Sequence, residues 1–374
     1  MKEIFSKTEL AEVFCGDIKH GASGLCIDSR KAMDGDIFFA MKGERVDGHD
    51  FVKEALGKGA ALAVVEKSLP WIAEDRQILV ESSLKKLQDL ARYNVSRIAA
   101  KYVSVTGSVG KTTTRSMISH LLSCSNLEVF TSTKNMNSQI GMPLCVAKMS
   151  RHTEFAILEM GMSKAGEIKK LVDIAPPNVA VITAICETHL EFFDSVFDIA
   201  KAKSEIFEGA RPPEIAIIPK DSPYTDFLED RARKCNVKNI YSFGSSDGAD
   251  ARLLSYDCDD DRIYVKAKVL DTPIDYELHC GNISAVYNSI AALLAVHLIS
   301  EVPLAEMAAL LPSFMALPGR GETILLKNCD IVIIDDSYNA SPTSMKSAIV
   351  SLSKRKYRRK IAVLGDMLEL GPEI

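Results

Sequence analysis

The chain has 374 residues, of which 47% are hydrophobic and 25% charged, and its formal net charge at pH 7 is −5. This composition is that of a globular protein with two or three domains. A sequence pI near 5.9 excludes the strongly basic character of most nucleic-acid-binding proteins. The apolar runs are all shorter than the ~20 residues that span a bilayer. We therefore expect neither a nucleic-acid partner nor stable membrane insertion.

The nine cysteines are scattered along the chain and form no C-x-x-C pair, which argues against a zinc site or a disulfide framework. The N-terminal residues Met1–Ile4 carry an early acid and lead into no apolar signal core. Reduced, mostly buried thiols fit a cytoplasmic protein.

The first 83 residues contain short apolar stretches, Ile37–Ala40 and Ala61–Val65, and predict a small α/β domain. The following residues, Leu84–Ala100, predict a helix that leads into the next domain. We place the domain boundaries at 1–83, 84–314 and 315–374.

A phosphate-binding loop lies between a predicted strand, Tyr102–Val105, and a predicted helix, Thr113–Leu122. Its glycines allow backbone N–H groups to surround phosphate oxygens at a helix N-terminus. The loop is shorter than G-x-x-x-x-G-K-[ST], since Val105 stands where the first glycine would be. The alternative is a glycine turn with a chance lysine. The residues predicted to bind ATP here are Thr106, Gly107, Ser108, Val109, Gly110, Lys111, Thr112 and Thr113.

Short apolar runs alternate with helix-length segments through the rest of the chain, which predicts βαβ units and parallel sheets. Candidate polar residues follow these runs, where ligands of parallel sheets bind. They are Glu159, His189, Asp335 and Asp336. The predicted strands are Val103–Val105, Phe155–Leu158, Val179–Ile182, Ala216–Ile218, Ile331–Ile334 and Ile361–Leu364.

Four further segments have distinct patterns. Arg252–Leu278 alternates apolar and polar residues and predicts antiparallel strands at an edge, and Asn282–Ile299 predicts a helix. Leu317–Gly321 has turn residues and marks a domain boundary. We interpret Lys354–Lys360 as a solvated basic loop rather than a contact for nucleic acid or membrane.

The order and spacing of eight motifs resemble the Mur ligases of peptidoglycan synthesis, over Asp28–Gly371. These eight motifs follow the phosphate loop and are Thr131–Pro143, Glu159–Gly161, Thr188–Glu191, Ala202–Gly209, Val286–Ala292, Pro318–Gly321, Asp335–Pro342 and Leu364–Gly371. The resemblance implies a three-domain α/β architecture with a central ATPase domain and a Rossmann-like third domain.

Within this family, the members that add D-alanyl-D-alanine to UDP-MurNAc-tripeptide are the most similar. The resemblance implies that ATP and Mg²⁺ activate a substrate carboxylate as an acyl phosphate, which the incoming amine attacks. We expect these two substrates as the partners and a monomeric chain.

The resemblance also implies a metal region. Thr112, Glu159 and His189 would lie at the metal ions, and Lys111, His189 and Lys203 would be the catalytic residues. Lys203 corresponds to a lysine that carries a CO₂-derived carbamate in many members. The structural alternatives are a solvated strand-end Glu159, a structural His189 and an exposed Lys203 that pairs with Glu205 or Glu208.

The remaining implied residues contact the nucleotide and the substrate. Asn288 would contact adenine, Arg320 the ATP phosphates and Asp336 the ribose, with Asp335 as an orienting neighbour. Read alone, Asn288 fits a buried core residue equally well, and Arg320 could be a surface turn residue. Ser29 and Arg30 would bind the uridine diphosphate part, and Asn137 would contact the substrate.

Two departures from the family pattern leave alternatives open. Ser138 and Gln139 interrupt an Asn-x-Asn-Asn-Glu-Ile-Gly motif, and Arg320–Ile374 provides roughly two strands of a third domain that we expect to be truncated. The alternatives are another amino-acid-adding Mur ligase, a folylpolyglutamate synthetase, and a nucleotide-binding protein without ligase turnover.

Overall fold

Most of the predicted strands lie in two sheets, of four and nine strands, in the computed structural model of the chain. The structure describes residues 3–133, 136–188, 190–259, 262–279, 282–326, 329 and 331–368. It divides into two compact units, Met1–Ala99 with Ser132–Thr153 and Ala100–Thr131 with Glu154–Ile374. In the described ranges, we find no helix that is both long and apolar enough to cross a membrane.

The elements are numbered in chain order. The helices are α1 (Lys7–Phe14), α2 (Val52–Gly57), α3 (Ser83–Ser96), α4 (Lys111–Cys124), α5 (Gly141–Val146), α6 (Glu167–Val172), α7 (Val196–Ser204), α8 (Thr225–Lys234), α9 (Ser284–Ile299), α10 (Leu304–Leu310) and α11 (Pro342–Lys354). The strands are β1 (Gly24–Cys26), β2 (Asp36–Phe39), β3 (Leu62–Val65), β4 (Gln77–Leu79), β5 (Lys101–Thr106), β6 (Val129–Thr131), β7 (Phe155–Glu159), β8 (Val179–Ile182), β9 (Ile215–Pro219), β10 (Asn239–Gly244), β11 (Ala251–Cys258), β12 (Ile263–Val269), β13 (Thr272–Leu278), β14 (Glu322–Leu326) and β15 (Ile331–Asp335).

The first unit contains a four-stranded parallel sheet in the order β1-β2-β3-β4. Every residue of β2 and β3 is buried, as expected for parallel strands covered on both faces. Helix α3 confirms the helix that we predicted from Leu84 onward. The predicted small N-terminal α/β region is therefore confirmed.

The second unit contains a nine-stranded sheet in the order β13-β12-β11-β10-β9-β8-β5-β7-β6. The strands from β5 to β10 are parallel, whereas β11, β12 and β13 pair antiparallel at one edge, as predicted. Helices α4 and α9 confirm the two helices predicted beside this sheet. Strand β5 lies between β7 and β8, with Val105 opposite Glu159 and Thr106 opposite Ile182. The ends of three strands thus meet at the start of the phosphate loop.

The segment after Gly319 differs from the predicted parallel arrangement at two places. The Ile331–Ile334 run lies in β15, which pairs antiparallel with β14, because the short link between them allows a hairpin but no parallel crossover. Ile361–Leu364 was predicted as a strand, but it has no strand assignment, and Val363 is 92% exposed. A strand requires a hydrogen-bonded neighbour, and none of the described strands pairs with this run.

The predicted solvated basic loop contains one buried residue. Arg355 is only 2% exposed, and its Nη1 donates a hydrogen bond to the carbonyl oxygen of Asp259 at 2.6 Å. The interpretation of this stretch as wholly solvated is therefore wrong at Arg355, while Arg358 and Arg359 are exposed.

Candidate active site

The phosphate loop connects β5 to α4 through two glycines in unusual backbone conformations. Gly107 has φ 150° and Gly110, which caps α4, has φ 85°. A Cβ atom on Gly107 would lie 2.0 Å from Thr183 Oγ1, and one on Gly110 would lie 2.5 Å from Asn288 Oδ1. Only glycine fits at either position. The start of α4 therefore presents backbone N–H groups as an anion site of the P-loop type.

Hydroxyl side chains fix the shape of this loop. Ser108 Oγ donates to the carbonyl oxygen of Cys186 at 2.9 Å and accepts the Cys186 N–H at 3.1 Å. Thr183 Oγ1 donates to the carbonyl oxygen of Val109 at 2.6 Å. Thr106 Oγ1 donates to the carbonyl oxygen of Met160 at 2.8 Å. The loop is therefore held from the carboxyl-end side of β7 and β8 before any ligand binds.

Lys111 folds back over the loop that precedes it. Its Nζ donates to the carbonyl oxygens of Gly107 at 2.7 Å and Ser108 at 3.1 Å. Burial lowers the pKa of Lys111, and the nearby Arg320 charge acts in the same direction, while Glu159 opposes both. The ammonium is thus held where phosphate oxygens would approach the loop.

Glu159 is a buried carboxylate at the end of β7. It is 3% exposed, and its Oε2 lies 3.6 Å from Nη1 of Arg115, which is also buried. The solvated alternative for Glu159 is therefore wrong. The two cationic side chains near this carboxylate are Lys111 and Arg115. The carboxylate supplies a negatively charged oxygen that can bind the metal ion of a metal–phosphate complex.

The same region offers oxygen ligands for a divalent cation. Thr112, in the first turn of α4, is buried, and its hydroxyl is the type of ligand that P-loops give to Mg²⁺. Mg²⁺ is commonly held by one or two carboxylates together with phosphate oxygens and water, so Thr112 and Glu159 fit this ion. Within the described residues, no three His, Cys, Asp or Glu side chains form a metal-binding group. His189, the third predicted ligand, lies outside the described residues.

Lys203 is a buried lysine in α7. It is 2% exposed, and burial, reinforced by the charge of Lys111, lowers its pKa well below the ordinary value, against a smaller opposing effect of Cys186. The exposed alternative for Lys203 is therefore wrong. The carboxylate of Glu205 accepts the N–H groups of Gly166 at 2.6 Å and Lys169 at 3.2 Å. Glu208 forms its ion pair with Arg231.

The predicted nucleotide contacts lie on three different elements. Asn288 is buried in α9 beside Gly110, while Arg320 follows the turn after α10 and stacks its guanidinium 3.8 Å from the Tyr338 ring centre. Burial raises the pKa of Asp336, and a hydrogen bond from Asn282 Nδ2 at 2.6 Å and the Arg320 charge oppose that rise.

Asp335 and Asp336 have different environments. The Asp335 Oδ1 accepts the N–H of Ser337 at 3.1 Å, so this carboxylate is used within its own loop. Hydrogen bonding by Ser337 lowers the pKa of Asp335. This geometry fits the orienting role expected for Asp335 and leaves Asp336 as the candidate for ribose.

The predicted substrate residues belong to the first unit. Ser29 is buried, and its Oγ donates to Glu54 Oε2 at 2.8 Å. Arg30 pairs with Asp28 through Nε at 2.9 Å, although its side chain is largely exposed. Asn137 is half-buried in the same unit. The remaining loop residue, Thr113, is half-buried in the first turn of α4 in the second unit.

Sequence reasoning missed several residues of the candidate site. Thr183 follows β8 directly and Cys186 lies in the same loop, and their position after a parallel strand was the available signal. Arg115 lies one turn into α4, on the side that faces Glu159. Asn282 reaches Asp336 across more than fifty residues of chain, and nothing in the sequence pattern pairs the two.

Three family models match the chain in order. The model of the Mur ligase family catalytic domain matches residues 22–95, that of the Mur ligase middle domain residues 105–296, and that of the Mur ligase glutamate ligase domain residues 319–374. The middle-domain match contains the phosphate loop, Glu159, Lys203 and Asn288.

A relative and two solved structures show the same likeness. A protein of Rickettsia prowazekii named UDP-N-acetylmuramoyl-tripeptide–D-alanyl-D-alanine ligase is 36% identical, over 92% of this chain and 76% of its own length. A structure of MurF from Acinetobacter baumannii matches with a TM-score of 0.89 at 29% identity, covering 98% of this chain and 80% of its own. The MurF ligase of Thermotoga maritima in complex with ADP matches with a TM-score of 0.82 at 33% identity, covering 93% and 78%. By its phosphate loop, its domain order and these likenesses, the chain belongs to the Mur ligase family.

Proposed function

We propose that this chain is an ATP-dependent ligase that joins D-alanyl-D-alanine to UDP-N-acetylmuramoyl-tripeptide. The observation that carries the proposal is the phosphate loop at the start of α4, with Lys111, Glu159 and Asn288 around it. The two substrates are supported by the name of the Rickettsia prowazekii relative. Binding of the nucleotide is supported by the Thermotoga maritima structure, whose ligand is ADP.

The proposed reaction has two steps. A carboxylate oxygen of the tripeptide attacks the γ-phosphorus of ATP, which releases ADP and leaves an acyl phosphate. The amine of D-alanyl-D-alanine then attacks the acyl carbon, loses a proton and displaces phosphate, so that an amide bond replaces the acyl–oxygen bond. Phosphoryl transfer of this kind depends mainly on positioning and charge neutralisation.

The loop residues would supply that positioning. Lys111 and the N–H groups at the start of α4 would hold the β- and γ-phosphates, and Arg320 would add a second cation. Thr112, Glu159 and His189 would hold Mg²⁺, which neutralises phosphate charge when it is bound. Asn288 and Asp336 would orient the adenine and the ribose.

Lys203 is proposed to carry a CO₂-derived carbamate. An amine must be neutral to attack CO₂, and burial beside Lys111 favours the neutral form of Lys203. The carbamate would replace the buried amine with an anion beside the Lys111 cation. That negative charge would provide a further acidic ligand for the metal region.

The first unit is proposed to bind the uridine diphosphate part through Ser29 and Arg30, with Asn137 as a contact to the substrate. We also propose a monomer, since the proposed site draws all its residues from one chain. A cytoplasmic location is supported by the scattered cysteines and by the dependence of the reaction on ATP.

Phosphate release tests the proposal. The chain is supplied with ATP, Mg²⁺ and UDP-N-acetylmuramoyl-tripeptide, and release is measured with and without D-alanyl-D-alanine. Release that depends on the dipeptide supports the ligase. Release that requires another amino acid instead points to a different amino-acid-adding Mur ligase. ATP binding without release under any of these conditions contradicts turnover by this chain.

A further inference from the structure

Asn282 lies between two elements that approach the proposed nucleotide site from different parts of the chain. Its Oδ1 accepts the N–H of Ser284, the first residue of α9, at 2.8 Å. Its Nδ2 donates to Asp336 Oδ2 at 2.6 Å. One side-chain amide therefore connects the helix that carries Asn288 to the loop that carries Asp336.

The orientation of this amide follows from its partners. A backbone N–H can only donate, so the atom of Asn282 that meets the Ser284 N–H must be the oxygen. The other terminal atom is then the NH₂ group, and it faces a carboxylate oxygen that accepts. The contact with Asp336 is consequently a charge-assisted hydrogen bond.

The Asp336 carboxylate has a second attractive neighbour, Arg320, which could draw it away from Asn282. The charge of Arg320 acts on the same carboxylate, and both Arg320 and Asn282 oppose the rise of the Asp336 pKa that burial causes. The short contact to Asn282 fixes one carboxylate oxygen, Oδ2, against the start of α9. No hydrogen bond to the other oxygen, Oδ1, is seen in the described residues, so that oxygen can accept one from a ligand.

We propose that Asn282 is a positioning residue for the nucleotide, which holds the Asp336 carboxylate in the orientation that accepts hydrogen bonds from the ribose hydroxyls. This inference rests on the proposed function, in which Asp336 contacts the ribose. It assigns Asn282 no contact with ATP itself. The loss of Asn282 should therefore matter only to ligands that carry the ribose hydroxyls.

The test compares ATP with 2′,3′-dideoxy-ATP, which lacks both hydroxyls, by calorimetric binding. Asn282→Asp keeps an acceptor for the Ser284 N–H, a favoured arrangement at a helix start, but cannot donate to Asp336. Its Kd for ATP is expected to rise about tenfold, as for the loss of a hydrogen bond to a charged group. The added carboxylate also repels the triphosphate of both nucleotides, so its Kd for the dideoxy nucleotide should rise less than its Kd for ATP.

Two further variants serve as controls for this interpretation. Asn282→Ala removes the donor without adding charge and should show the same selective loss for ATP. Ser284→Ala removes a different link from the start of α9, the 2.8 Å contact of Ser284 Oγ with Ser347 Oγ in α11, and should bind ATP as the parent does.

Two results would overturn the inference: unchanged ATP affinity in both Asn282 variants, or equal losses for ATP and its dideoxy analogue. The second result would mean that Asn282 only supports the fold or the general charge of the site. Failure of the proposed function is distinguished by the parent chain, since weak ATP binding there contradicts the nucleotide site before any variant is compared.

Discussion

Two glycines begin helices in the second unit with nearly the same backbone geometry. Gly110 precedes α4 with φ 85°, and Gly166 precedes α6 with φ 83°. A Cβ on Gly110 would meet Asn288, whereas a Cβ on Gly166 would have open space around it. The pair therefore separates the effect of a strained backbone from the effect of a blocked site.

We expect Gly166→Ala to lower the free energy of unfolding by about 1 kcal/mol, because it places an L-residue at positive φ. Gly110→Ala should lower it by at least as much, since its methyl group also meets Asn288. Only Gly110→Ala should also weaken ATP binding, by roughly tenfold or more, since its methyl group displaces Asn288 or the loop. Urea unfolding and calorimetric titration with ATP measure the two effects. Equal ATP affinity in the two variants would contradict the close approach of Asn288 to the loop.

The burial of Lys203 leads to a second prediction about a single residue. With ¹³C-labelled bicarbonate at neutral pH, the chain should show a carbamate resonance that Lys203→Ala removes. Lys201→Ala, in the same helix but on an exposed side chain, should keep it. Because deprotonation increases with pH and burial lowers the pKa of Lys203, the resonance should weaken as the pH falls into the acidic range. A resonance that survives in Lys203→Ala would place the carbamate elsewhere.

The candidate site could be predicted where its residues are neighbours in sequence or belong to a familiar motif. The phosphate loop is one uninterrupted stretch, so glycine spacing and the flanking elements were sufficient to predict it. Thr183, Arg115 and Asn282 were missed for a physical reason. Each acts through hydrogen bonds or an ion pair to residues distant in the chain, and such contacts create no periodic pattern.

Helix α1 illustrates how one carboxylate can stabilise an element. Ser6 and Glu9 form a capping box at its start, and Arg97 Nη1 donates to Glu9 Oε1 at 2.7 Å. Burial raises the pKa of Glu9, but the hydrogen bonds from Ser6 and Arg97 and the Arg97 charge lower it to about 2. Because the folded pKa lies below the ordinary value, the stabilisation is present above about pH 4.5 and is lost as the pH falls toward 2.

Glu9→Gln should therefore lower the free energy of unfolding at pH 7 by about 1–2 kcal/mol, allowing for solvent screening. The difference from the parent chain should shrink as the pH is lowered from 4.5 to 2. Urea unfolding followed at several pH values measures it. Glu12→Gln is the control in the same helix, because only the Tyr93 hydroxyl is seen to donate to that carboxylate in the described residues, at 3.1 Å. A pH-independent loss in Glu9→Gln would contradict the electrostatic account.

The residue patterns were sufficient to predict most helices and strands. The exceptions concern which neighbouring strand a predicted strand pairs with. The alternation along Ile263–Val269 correctly predicted a strand of the antiparallel group at one edge of the sheet. The apolar run Ile331–Ile334 was correctly predicted as a strand. Its antiparallel direction, however, depends on its pairing with β14, which precedes it. An apolar run shows that a segment can be buried or paired, but it contains no information about which neighbour it meets.

At the scale of the whole molecule, Arg355 connects the end of α11 to Asp259, the residue after β11. Arg355→Met keeps much of the side-chain volume but loses the hydrogen bond to Asp259. We expect a loss of about 2 kcal/mol, which is a few degrees in the thermal unfolding midpoint. Arg358→Met, at an exposed position nearby, should change the midpoint by less than about one degree. Equal midpoints for the two variants would show that the buried contact contributes nothing.

The division into units was the least predictable feature. The central domain that we placed at 84–314 includes Ser132–Thr153, whereas the structure groups this stretch with the first 99 residues. The reason lies in Asn94, whose buried amide donates to the carbonyl oxygens of Val146, Ala147 and Met149 at 2.8, 3.3 and 3.1 Å. Those acceptors are backbone atoms, which any sequence would supply.

This grouping has a consequence for the order of events during synthesis. The first 99 residues leave the ribosome well before the stretch that completes their core, and the three acceptors of Asn94 follow it by more than fifty residues. During that interval the chain also makes β5, α4 and β6, which belong to the other unit. The N-terminal unit therefore finishes folding only after the second unit has begun to appear, and the nascent chain has to keep the two cores apart while both are incomplete.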